Sequence, residues 1–149
     1  MRRLFALVMP VVLVMAAGCR AVIGGGAEPG AVTSETAVSQ FLAGARAQDL
    51  QAMSAVWGNA EGPVRDRVER QELERRLLIM VCHLKHDESR IEPAQMGEAG
   101  RTVHRVELKA ATKQAATTFT TVRNTKSGRW FVEEFDLAAV RSLCATAPD

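Results

Sequence analysis

Three cysteines and three histidines hold most of the reactive chemistry in this chain. Cys19 follows Ala16-Ala17-Gly18, and a thiol behind such small residues is a nucleophile that can take up a thioether-linked group. Cys82-His83-x-x-His86 looks like half a metal site, and His104 offers a further imidazole. The spacing argues against a metal. Residues 82, 83 and 86 are too close to share one helical face fully, and no second Cys-x-x-Cys or paired histidines occur. A metal would also compete with a disulfide for Cys82. The expectation is surface histidines at a helix end, with no metal and no cofactor. Asp87-Glu88 places a carboxylate near His86 for acid–base work, against the plainer reading of solvated turn residues. No serine has a nucleophile context, and no G-x-S-x-G, H-E-x-x-H, phosphate-loop or dinucleotide fingerprint is present. No catalytic residue is assigned.

The residues before Cys19 explain why that thiol stands apart. Arg2 and Arg3 are followed by an uncharged apolar run from Leu4 to Met15, then by small residues, which is the layout of a signal peptide. Ala16-Ala17-Gly18-Cys19 resembles the bacterial lipobox, with Ala16 where leucine is usual. The resemblance implies cleavage before Cys19, a diacylglycerol on its thiol and acylation of the freed amine, with palmitate-type chains. Each buried methylene contributes about 0.8 kcal/mol, so two or more chains make a stable anchor. The other readings are an ordinary secretory signal and an uncleaved membrane helix. Leu4 to Gly18 is 15 residues, short of the ~20 a span needs. Arg20 stands where an aspartate would retain a lipoprotein in the inner membrane. The resemblance therefore implies the periplasmic face of the outer membrane in a Gram-negative cell.

This address reorganises the composition. The 149 residues carry 19 basic and 17 acidic groups, a net +2. Arg2 and Arg3 leave with residues 1–18, so the mature chain is formally neutral and offers no electrostatic footprint for nucleic acid. Tyrosine is absent and aromatic residues are 5%, which counts against a stacking platform for bases or sugars. With Cys19 lipidated, Cys82 and Cys144 remain as an even pair in an oxidising compartment, and a disulfide between them is expected; two buried free thiols are the alternative.

The elements around these residues follow from periodicity. Residues 19–36, rich in glycine, form a tether of about 23 Å typical span. A single domain is expected over 37–149. Val38, Phe41, Leu42 and Ala45 mark a helix capped by Ser34 or Thr36. Asp49 caps a second, shorter helix. Pro63 opens a third, long helix to Leu84, with Asp66–Arg70 and Glu72–Arg76 as ion pairs on a solvated face. Its apolar end, Leu77 to Cys82, is expected to be covered on more than one side as the centre of the core. From Lys85 the period becomes two. Ser89–Glu92, Val103–Ala110, Ala115–Arg123 and Arg129–Asp136 read as strands, the last three as an antiparallel meander. Phe131 and Phe135 are expected on one face of the last strand, with Trp130 and Val132 on the other. A short terminal helix or coil over Leu137–Leu143 leads to Cys144.

The fold class is α+β, with N-terminal helices packed on a curved antiparallel sheet. AVSQFLAGARAQDLQAM and GRWFVEEFDL resemble the opening and closing segments of the cystatin-like cone shared by nuclear transport factor 2 and the SnoaL-like cyclases. The resemblance implies a pocket between sheet and helices. Isomerases of that family use a tyrosine with an aspartate pair, and this chain has no tyrosine. The expected function is a lipid-anchored extracytoplasmic protein with a non-enzymatic domain for a small apolar ligand or an envelope protein. The alternative is a cone-pocket enzyme of isomerase or hydrolase type. Two convergent polar groups in the cone would favour the enzyme; a filled apolar interior would favour binding or interaction.

Overall fold

The apolar residues spaced three and four apart after Thr33 form helix α1, Ser34–Ala47, which buries Val38, Phe41, Leu42 and Ala45. Each large side chain among them contributes about 1.5–3 kcal/mol on leaving water. The computed structural model of the protein describes residues 28–144, so the signal segment and Cys19 lie outside the described residues. The N-cap is Thr33, one residue ahead of the nearer residue expected, and its hydroxyl accepts from the Thr36 N–H at 3.1 Å. The domain also begins earlier than residue 37. Gly30 N–H donates to Ala55 O at 2.7 Å, and Ala31 exchanges two 2.8 Å backbone bonds with Trp130. The last part of the expected tether is therefore built into the domain.

Asp49 caps α2, Leu50–Val56, as its type and place require: Oδ1 accepts from Ala52 N–H at 3.0 Å. Replacing Asp49 by alanine should lower the unfolding free energy by about 1 kcal/mol, while asparagine should retain most of it. Urea unfolding of the two variants distinguishes a cap from a merely polar surface position.

The third helix starts later than expected. Gly58–Asn59 (β1) and Gly62–Pro63 (β2) pair as a two-residue ribbon, so Pro63 ends a strand rather than opening a helix. Val64–Asp66 is a single 3-10 turn. Helix α3 is Arg70–His83, capped by the Glu69 carboxylate, which accepts from the Gln71 and Glu72 N–H groups. The Asp66–Arg70 pair is not formed, because Asp66 sits ahead of the helix and Arg70 instead meets Glu74 at 2.9 Å. Glu72 does pair with Arg76 at 2.7 Å, and with Arg75 at 2.8 Å. The hydrogen bond from Arg76 holds the Glu72 carboxyl below its ordinary pKa.

The apolar end of α3 is not the centre of the core. Leu73 and Leu77 are buried, but Leu78 is 58% and Ile79 49% exposed. Only one stripe of the helix meets its neighbours, so residues on the far face stay in water whatever their type.

The sheet is antiparallel throughout. Thr102–Ala110 (β5) pairs with Lys113–Arg123 (β6), and β6 pairs with Trp130–Phe135 (β7). Two short strands, Glu88–Ile91 (β3) and Gln95–Met96 (β4), pair along the other side of β5. The meander is thus present, with α1 against β6 and β7. Arg90, Glu92, Arg105 and Glu107 form loose ion pairs across β3 and β5, at 3.5 to 4.0 Å.

A bulge in β7 changes which residues face the core. Thr120 pairs with Glu134 and Thr121 with Val132, leaving Glu133 without an opposite residue. Phe135 is thereby placed on the same face as Trp130 and Val132, opposite Phe119. Phe131 lies on the other face, buried against Gly30 and Gly58, where a Cβ at either glycine would come within 2.8 Å of its ring. The alternation expected for this strand fails at the bulge. Arg123–Gly128 closes the hairpin, with Asn124 Oδ1 accepting from the Lys126 and Ser127 N–H groups. Arg141–Cys144 (α4) ends the described chain and brings buried Leu143 to the core.

Candidate functional site

The space between α1 and the sheet is taken by side chains. Phe41 meets Phe119 edge-on with ring centroids 6.2 Å apart, and Phe119 stacks on Phe135 at 5.2 Å. Val38, Leu42, Met53, Val106 and Leu108 fill the surrounding volume. Polar groups on this face of the sheet have partners. Thr117 donates to Asp136 O at 2.8 Å and Thr121 to Thr102 O at 3.1 Å.

The histidines depart from expectation. His104 is fully buried on β5, opposite Phe119, and His86 is 5% exposed. Neither is a surface residue. His104 Nδ1 lies 3.5 Å from Glu92 O, and Nε2 lies 3.1 Å from the Ser34 hydroxyl. One proton on Nδ1 serves both contacts, since Nδ1 then donates and Nε2 accepts. His86 Nδ1 donates to Leu84 O at 2.7 Å. These rings tie β5 to the start of α1 and fix the exit from α3. Among the described residues no group of three or more His, Cys, Asp or Glu is placed to hold a metal ion. Asp87 and His86 share no hydrogen bond. Asp87 Oδ2 accepts from Ala111 N–H at 2.8 Å, holding the β5–β6 turn where Ala111 has a positive φ of 50°.

Cys82 and Cys144 form a disulfide, with Cα atoms 4.9 Å apart, which fastens α4 to the end of α3. Among the described residues no helix is long and apolar enough to cross a membrane.

One open surface feature with mixed chemistry is a cleft of about 470 Å³ between α1 and α2. Ala43 and Ala47 line it from α1, Ala52 and Ala55 from α2, and Gly30 and Arg129 lie along it too. Gly30 adopts φ +87°, and a Cβ there would come within 2.8 Å of the Arg129 side chain. Arg129 Nη2 donates to Gly30 O at 2.6 Å, while its buried Nε–H has no acceptor. Glu28 and Asp49 add carboxylates, the latter already engaged in capping α2. Sequence reasoning did not find this site. A lone arginine after a turn glycine has no spacing signature, and small helix residues read as filler. Legible in retrospect is only the excess of alanine on the solvent side of α1 and α2.

No family model, no curated protein and no solved structure matches this chain. The functional reading therefore rests on its own residues.

Proposed function

We propose that the protein is an exported lipoprotein, anchored through acylated Cys19, whose domain serves binding or interaction rather than catalysis. The observation that carries the non-enzymatic part is the filled interior: Phe41, Phe119 and Phe135 occupy the region where a cone-type domain would hold its pocket. The address is supported by the arginines, apolar run and Ala16-Ala17-Gly18-Cys19 at the start of the chain. The Cys82–Cys144 bond adds support, because disulfides persist in oxidising compartments outside the cytoplasm. In a Gram-negative cell the anchor belongs to the periplasmic face of the outer membrane.

We further read the domain as a cone of the type shared by nuclear transport factor 2 and the SnoaL-like cyclases. Its support is the order of helices followed by a meander, with α1 laid against β6 and β7. The partners of such a protein are membrane lipid, through Cys19, and a small apolar ligand or an envelope protein. Replacing Cys19 by serine tests the anchor. Cells fed labelled fatty acid should label the wild-type protein and not the variant, whose domain should still be oxidised and folded; equal labelling of the two would overturn the lipid attachment.

A further inference from the structure

The cleft between α1 and α2 combines two features that ask for one ligand. Ala43, Ala47, Ala52 and Ala55 line it together with Val56 and the polar Gln40, and no aromatic ring does. Beside them is the Arg129 guanidinium, which gives one Nη2 N–H to Gly30 O, keeps further Nη hydrogens to donate, and forms no ion pair with any described residue. A cation in partly apolar surroundings favours an anion, and a guanidinium edge matches a carboxylate in particular, whose two oxygens accept from neighbouring N–H groups. A volume of about 470 Å³ is large enough to seat a short aliphatic chain.

We propose that this cleft binds an aliphatic monocarboxylate, with the acid group on Arg129 and the hydrocarbon chain along the alanine walls. The proposal rests on the binding reading above and names the ligand class. Glu28 and Asp49, which also line the cleft, sharpen the selectivity. They disfavour a second negative charge, so a dicarboxylate of equal length binds more weakly than the monocarboxylate.

Octanoate is a suitable probe, titrated into the whole mature chain carrying Cys19→Ser so that no detergent competes for it. Amide resonances of Ala43, Ala47, Ala52 and Ala55 should shift saturably. Octanol and the dicarboxylate suberate should bind at least tenfold more weakly. Ala47→Leu, at an exposed helix position, should fill the cleft and abolish the shifts with the fold intact. Arg129→Gln should weaken octanoate at least tenfold and leave octanol unchanged. If Arg129→Gln does not fold, the octanol and Ala47→Leu arms still decide. Absence of saturable shifts, equal binding of octanol, or unchanged binding in Ala47→Leu would overturn the proposal. Octanoate should be recovered chemically unchanged. Its consumption would overturn the non-enzymatic reading while leaving the ligand class standing, and the missing anchor makes the result independent of lipidation.

Discussion

Phe119→Ala should lower the unfolding free energy by about 3–5 kcal/mol, the range for removing a large aromatic ring from a packed core. The position is unusually exposed to this loss in the energetic sense. Phe119 is fully buried on the central strand β6, touches Phe41 edge-on and stacks on Phe135. Deleting it removes the transfer energy of the ring and leaves Phe41 and Phe135 facing a void. Aromatic pairs contribute roughly 0.5–1.5 kcal/mol beyond their area. Against a total of about 5–15 kcal/mol for an ordinary domain, the variant should be close to unfolded at modest urea concentration. Phe119→Leu should cost much less, since it keeps most of the volume. A loss below about 1.5 kcal/mol for the alanine variant would mean that the interior has room to spare, and the case for a filled rather than open interior would fail.

Reduction of Cys82–Cys144 should be nearly as damaging. The two residues are 62 apart, and in the chain-entropy model releasing a loop of that length costs about 4 kcal/mol. The site makes the interpretation clean. Cys82 is exposed, so Cys82→Ser leaves little cavity and the effect belongs to the cross-link. Loss of the link also frees α4, which carries buried Leu143, directly after buried Val140. The double variant Cys82→Ser, Cys144→Ser should therefore melt on the order of 15 °C lower than the oxidised protein. It should match the reduced wild type. A difference of only a degree or two would show that α4 is held by packing alone and that the bond contributes no stability.

Helix faces and caps are legible in this sequence because they are set by neighbouring residues. The spacing of Val38, Phe41, Leu42 and Ala45 placed α1, and Asp49 marked the start of α2. Strand periodicity located β5, β6 and β7 to within a few residues. The errors fall where a distant partner decides. Pro63 resembles a helix opener until Gly58 pairs with it in a ribbon. Leu77 to Cys82 is apolar all round, but composition does not say how many sides of a helix its neighbours cover, and Leu78 and Ile79 stay exposed. His86 and His104 look like surface residues until backbone carbonyls and Ser34 supply buried partners. The bulge at Glu133 turns Phe135 onto the face of Val132, which strict alternation cannot foresee. Of the site features, the disulfide partners were legible from cysteine arithmetic, whereas the Arg129 cleft was not, since it joins residue 129 to a backbone carbonyl at residue 30.

Lipid anchoring of the domain through Cys19 is tested most directly by the intact mass of protein extracted from membranes. The expected mass is that of the chain from Cys19 onward plus a diacylglyceryl group and an amide-linked acyl chain. Before reduction it should be lighter by two hydrogens than after reduction, from the Cys82–Cys144 bond. An unlipidated chain still beginning at Met1 would contradict the anchor, the cleavage and the location together.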